Sequence, residues 1–224
     1  MHERGNTMQR TITVKGTGTA KAAPDLIRIV LSLESKDFDY GFTMRFAERK
    51  IESLKDALAS VGFDRKDLKT LNFDVRTDYS NEKDSNGNYK RVFNGYICSH
   101  RLKLEFDFDT KQLANTLNAI ATCVVDPELS IVFTVKDPAA ISADLLRSAT
   151  TNAREKAEIL CAASNVKLGD LLTINYNWGE LDIVSHTDFD MPMKCAAMSP
   201  GCDIDIEPDD ISLSDTATFI WEIS

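Results

Sequence analysis

The densest run of chemistry-bearing side chains is Met191-Pro192-Met193-Lys194-Cys195-Ala196-Ala197-Met198-Ser199-Pro200-Gly201-Cys202. It holds half of the six methionines and two of the five cysteines within twelve residues. Thioether and thiolate sulfurs are soft donors of the kind that suit Cu(I). Met191, Met193, Cys195, Met198 and Cys202 are therefore the candidate ligands of a soft metal, although no complete metal site is assigned. The same polarizable, unbranched side chains also build adaptable packing surfaces. On that reading Met191, Met193 and Met198 are candidate contacts of an oligomer interface. Just beyond, Asp203-x-Asp205-x-Glu207 has the spacing that opens a calcium loop, but it lacks the glycine and terminal glutamate and runs into Pro208. Alternation with Ile204 and Ile206 makes it an extended segment with its carboxylates in water.

No catalytic constellation is legible, so no catalytic or cofactor-binding residue is assigned. There is no HExxH, GxSxG or GxxxxGK[ST] motif. His2, His100 and His186 are dispersed and share no zinc-type spacing with the cysteines. Gly16-x-Gly18 is half of a dinucleotide fingerprint, without the third glycine and with Pro24 standing before any helix could start. It reads as a bend or bulge in a strand. A hydrolase whose nucleophile and base meet only in space is the third functional reading, after assembly and soft-metal binding.

Charge narrows the partners. The 224 residues carry 26 Lys and Arg against 35 Asp and Glu, a formal net charge of −9. That balance offers no phosphate-binding footprint, so nucleic acid is excluded as a partner. The whole imbalance lies between Glu180 and Asp215, where ten acids face the single base Lys194. No apolar run approaches the roughly 18 residues of a transmembrane helix, and residues 1–10 lack the apolar stretch of a secretory leader. Five cysteines, an odd number with no CxxC, favour reduced core thiols at Cys98 and Cys161 and a cytoplasmic location. The alternative is the periplasm or cell envelope, if a leader has been removed.

These features must be held by a scaffold that the periodicity outlines. Residues 11–15 and 26–34 read as strands joined through Gly16-Thr17-Gly18 and Pro24-Asp25, the second with Ile27, Ile29, Leu31 and Leu33 on one face. Residues 41–61 change to helical period and stop at Gly62. Leu71, Phe73 and Val75 mark a strand, a polar tip follows at 84–88, and the return strand carries Leu102, Leu104, Phe106 and Phe108 against Arg101, Lys103, Glu105 and Asp107. A short helix at Leu113–Ile120 and a strand at Leu129–Val135 lead to Asp137-Pro138, which opens a long helix to about Ser164. Ala149, Ala153 and Ala157 on one face would let it lie close to a sheet. Strands near 172–178 and 211–223 complete the order ββαββαβαββ. Residues 59–68 resemble 163–171, which suggests two α-β-β repeats sharing one sheet. The expected fold class is α+β, with residues 1–10 a tag-like end and 11–224 a single domain bearing a long acidic loop at about 180–210.

Several of these segments together resemble the SIMPL-domain family of bacterial periplasmic and outer-membrane immunogenic proteins. They are Thr11-Ile12-Thr13-Val14-Lys15-Gly16-Thr17-Gly18, Ala23-Pro24-Asp25, Ala149-x3-Ala153-x2-Lys156-Ala157, Lys167-Leu168-Gly169-Asp170, Pro192-Met193-x2-Ala196-Ala197-Met198 and Glu207-Pro208. The resemblance runs from about Thr11 to Ile223. It implies an α+β domain able to form ring- or channel-like homo-oligomers, with stress-linked or scaffolding associations and no catalytic residue to transfer. The leading expectation is a non-enzymatic, self-associating domain without a cofactor.

Overall fold

A computed structural model describes residues 10–83, 88–123, 127–176, 181–187 and 206–224. The chain is α+β: its described residues form three helices and seven strands in two antiparallel sheets. In order these are β1 (Thr11–Ala22), β2 (Leu26–Asp37), α1 (Tyr40–Ser60), β3 (Lys69–Lys83), β4 (Tyr89–Asp107), α2 (Thr110–Thr122), β5 (Glu128–Thr134), α3 (Pro138–Ala163), β6 (Leu168–Asn175) and β7 (Ile211–Ile223).

Two compact units share the chain. Of the described residues, one contains those within 10–23, 135–185 and 209–224; the other contains those within 24–134, with 186–187 and 206–208. In the first unit the sheet order is β1-β7-β6, with α3 packed on β1 and β7. Val14, Ala153, Ala157, Ala217, Phe219 and Trp221 form its core. In the second the order is β3-β4-β2-β5, with α1 and α2 covering one face. Ile27, Ile29, Leu31 and Leu33 of β2 meet Leu102 and Leu104 of β4, Ile131 and Phe133 of β5, and Leu54, Leu58, Leu113, Leu117 and Ile120 of the helices.

The same connectivity occurs in both units. A strand (β1 or β2) pairs antiparallel with the second arm of a later helix-strand-strand segment, α3-β6-β7 or α1-β3-β4. The two α-β-β segments therefore lie in separate sheets, where the sequence had suggested one shared sheet. The reason is that β1 and β2, consecutive in sequence, do not pair with each other; each is taken up by a different hairpin. Pro24, which lacks an N–H donor, stands in the connection between them.

Helix starts follow one chemical rule. The carboxylates of Asp39, Asp109 and Asp137 each accept a hydrogen bond from a backbone N–H of the first turn, at Phe42, Lys111 and Gln112, and Ala140 respectively. This satisfies donors that otherwise have no intrahelical partner. Pro138 occupies the first turn of α3, where its missing N–H costs nothing. Strand β4 shows the alternation read from its residues: Leu102 and Leu104 are buried and Arg101 is exposed. Lys103 and Glu105 are half-exposed and pair at 2.8 Å, and Glu105 also accepts from Arg28 Nε at 2.6 Å. Burial raises the Glu105 pKa, but the hydrogen bonds from Lys103 and Arg28 outweigh it and hold the carboxyl below its ordinary value.

Candidate interaction surface

Sheet edges decide where a strand-rich protein can be approached, and the first unit treats its two edges differently. On β1 the outward-facing N–H groups of Thr17 and Thr19 donate to Asn152 Oδ1 at 2.9 Å and Ser148 Oγ at 3.0 Å, both on α3. Lys156 Nζ adds a bond to the Lys15 carbonyl at 3.2 Å. Side chains of α3 thereby satisfy the edge and close it. The helix comes this near because Gly16 and Gly18 have no side chain. A Cβ at Gly16 would stand 2.1 Å from the Ala149 carbonyl oxygen, and one at Gly18 2.2 Å from that of Leu145. Register between β1 and β7 is unbroken from Thr11 to Ala22. The glycine pair is thus neither a bend nor a bulge: it is the floor on which the Ala149-Ala153-Ala157 stripe rests. At the opposite edge β6 carries Leu171, Leu172 and Ile174, all exposed.

In the second unit the uncovered surface is aromatic. Strand β2 ends at the Asp37–Tyr96 pair. Beyond it the β3–β4 hairpin continues as a two-stranded ribbon, through Tyr79–Phe93, Asn81–Arg91 and Lys83–Tyr89 on one face. A register shift at Asp78/Tyr79 starts this ribbon. Gly95 makes the shift possible, with φ +113° and no room for a Cβ, which would lie 2.3 Å from the Asp37 carbonyl. Tyr40, the first residue of α1, meets Tyr96 edge-on with centroids 5.6 Å apart. Tyr96 meets Phe93 at 5.4 Å, and Phe93 meets Tyr79 at 5.5 Å. The Arg91 guanidinium lies over Tyr79 at 3.9 Å, and Lys83 Nζ lies 5.3 Å from the Tyr89 ring centroid. Nearby, Arg45 covers Phe42 at 4.3 Å. Cations over ring faces are held by the ring quadrupole. Among the described residues neither Lys83 nor Arg91 forms an ion pair. The result is a row of rings in which Tyr40, Phe93 and Tyr79 are exposed and Tyr96 is half-buried, with Asp37 opposite Tyr96 and Arg91 over Tyr79.

One buried polar group lies on the helix-facing side of the same sheet. His100, 8% exposed, shares a hydrogen bond of 2.8 Å between its Nε2 and Thr70 Oγ1, and packs edge-on to Phe73 at 5.0 Å. Its Nδ1 is buried without a partner. Burial, aided by the charge of Lys55, lowers its pKa and favours the neutral imidazole. Cys98, two residues away on the same strand face, has its thiol pushed up by burial and by Asp74, which suppresses the nucleophilic thiolate. Neither group has the setting of an activated acid, base or nucleophile.

The structure leaves the sulfur-rich segment aside: Met191, Met193, Cys195, Met198 and Cys202 all lie outside the described residues. Among the described residues no group of three His, Cys, Asp or Glu side chains is placed to hold a metal ion. The rows of rings escaped the sequence reading because Tyr40, Tyr79, Phe93 and Tyr96 come from three elements. A usable signal existed: Tyr89, Arg91 and Phe93 alternate aromatic and basic at period two on one arm, and Tyr79 and Lys83 share a face of the other.

With this geometry established, comparison with known proteins decides the family. The family model SIMPL, described as a protein of unknown function (DUF541), matches residues 12–221. The chain belongs to the SIMPL family. Both units, the Gly16-x-Gly18 floor and the aromatic ribbon fall within the SIMPL match. The chain is also similar to the 26 kDa periplasmic immunogenic protein of Brucella abortus (strain S19), at 26% identity over 172 residues. That alignment covers 75% of this chain and 67% of the relative. The protein of the same name from Brucella melitensis biotype 1 is 25% identical with the same coverage. No helix of the described residues is long and apolar enough to cross a membrane.

Proposed function

We propose that this SIMPL chain is a self-associating domain of the bacterial periplasm, working as a ring-forming or scaffolding component rather than as an enzyme. The observation that carries the reading is the row of rings Tyr40, Tyr96, Phe93 and Tyr79, which runs from the start of α1 across β4 to the ribbon beyond β2 and in which all but the half-buried Tyr96 are exposed. A two-stranded ribbon is marginal by itself in water, and exposed aromatic side chains flanked by arginine are the residue types enriched at the centres of protein interfaces. The periplasmic part of the proposal is supported by the name of the Brucella relatives, and it takes the place of the cytoplasmic expectation drawn from the cysteine count.

Native mass of the full chain across a concentration series tests the assembly. A defined species above the monomer is expected. Replacing residues 186–205 by a short Gly/Ser linker should give a smaller species with unchanged circular dichroism. A wild-type chain that stays monomeric at high concentration refutes the proposal. Fractionation of the source cells tests the compartment, and recovery in the cytosolic fraction would overturn that part.

A further inference from the structure

We propose that the β3-β4-β2-β5 sheet carries, on the face turned away from α1 and α2, a binding site for a basic amino acid: one carboxylate, an α-ammonium group and a second cation on the side chain. The inference does not depend on self-association. In register, Asn72, Arg101, Ser32 and Glu128 form one row across all four strands, and Ser99 and Glu34 stand beside it in the next row. Leu33, Leu102 and Ile131, of opposite parity on the same strands, belong to the helix-covered core, so alternation turns these six to the other face. Together they line a depression of about 370 Å³, within the size range of small-molecule sites. Ser32 and Ser99 are half-buried in it, while Asn72, Arg101, Glu34 and Glu128 are exposed.

The charges here differ from those around them. Toward one end of the same face Arg28, Glu105 and Lys103 are joined at 2.6 and 2.8 Å, and toward the other Lys36 pairs with Asp78. Among the described residues Arg101, Glu34 and Glu128 form no ion pair. Asp74 and Arg76, neighbours on this face of β3, stand outside the lining and offset each other in charge. Within the lining one cation therefore faces two carboxylates, the complement of a molecule with one carboxylate and two cations. The Arg101 guanidinium can take the carboxylate through two parallel N–H bonds, and each glutamate can accept from one cationic group. The Arg101 and Glu128 backbones are two strand spacings apart, roughly 10 Å, and their long side chains can close on an extended molecule of lysine size. A diamine would set a like charge against Arg101, and a neutral amino acid would leave one glutamate unmatched. The serine hydroxyls and the Asn72 amide can pair the remaining donors and acceptors.

Calorimetric titration of the full chain at low salt tests the site with L-lysine and three analogues. Lysinamide lacks the carboxylate, norleucine the side-chain cation, and Nα-acetyl-lysine the α-ammonium group. L-lysine should bind, each analogue should bind about tenfold or more weakly, and lysine binding should weaken as NaCl rises. Arg101→Gln should erase the preference for lysine over lysinamide. Of Glu34→Gln and Glu128→Gln, one should erase the preference over norleucine and the other the preference over Nα-acetyl-lysine. Loss of one discrimination per variant is a pattern that misfolding, which weakens every compound alike, does not produce. No heat with L-lysine at millimolar concentration would overturn the proposal. So would equal binding of lysine and lysinamide, or discrimination that survives in all three variants. Binding of Ca²⁺ that is lost in both glutamate variants and kept in Arg101→Gln would assign the carboxylates to a metal ion and overturn it too.

Discussion

Replacing Gly16 by Ala puts a methyl carbon 2.1 Å from the Ala149 carbonyl oxygen and 2.7 Å from Ala153 Cβ. Ordinary contact begins near 3.4 Å, so α3 and β1 must separate by roughly 1.3 Å. The nearest obstacle is backbone, which cannot swing aside as a flexible side chain would. A shift of that size carries the Thr17–Asn152 bond of 2.9 Å beyond hydrogen-bond range and strains Thr19–Ser148 at 3.0 Å. Each such bond is worth about 1 kcal/mol, and loosening the alanine stripe removes close-packed contacts besides. The expected loss is about 3 kcal/mol, at the upper end for overpacking and a large share of a typical stability of roughly 5–15 kcal/mol. Urea unfolding followed by circular dichroism measures it. Two controls sharpen the argument. Gly16→Ala combined with Ala149→Gly should recover nothing, because the clash is with the carbonyl of residue 149 and not its side chain. Gly62→Ala, at φ +100° with open space around it, should cost only about 1 kcal/mol of backbone strain. A Gly16→Ala chain within 0.5 kcal/mol of wild type, or one repaired by Ala149→Gly, would show that the close approach of α3 to β1 is not what these glycines provide.

Two further outcomes are expected. Leu104→Ala, at a position with no exposure, should cost about 2–5 kcal/mol, while Lys103→Ala on the wet face stays within about 1 kcal/mol despite its bond to Glu105; equal small losses in urea unfolding would disprove the facing of β4. His100 ties stability to pH: its folded pKa lies below the ordinary value of 6.5, so just below that pH the unfolded chain binds more protons. Stability should fall as pH drops from 6.5 through the folded pKa, and His100→Gln should flatten the slope across that window; an unchanged slope would remove His100 as its source.

Much of the core was legible before any coordinates because burial imposes a period on the chain. Ile27, Ile29, Leu31 and Leu33, then Leu102 and Leu104, alternate in the residues and are buried in the fold. Ala149, Ala153 and Ala157 on one helical face announced a close approach to a sheet and are fully buried. The same periodicity misleads at a sheet edge. Leu71, Phe73, Leu172 and Ile174 alternate like core residues, yet all four are exposed, since β3 and β6 are edge strands. Alternation records which side chains share a face; it does not record whether anything covers that face.

By itself the sequence determined the α+β class, the element order, the acidic character of 180–215 and the apolar stripe of each buried element, because these depend on neighbours a few residues away. Tertiary structure alone decided that the two α-β-β segments enter separate sheets, that Gly16 and Gly18 admit a helix rather than bend a strand, and that rings from Tyr40, Tyr79, Phe93 and Tyr96 form one row. Each of those depends on pairings between residues far apart in the chain. The β4 register even changes within the ribbon, where one extra residue beside Gly95 realigns everything beyond it. No local pattern encodes such a pairing, since its energy resides in contacts that exist only when both segments are in place.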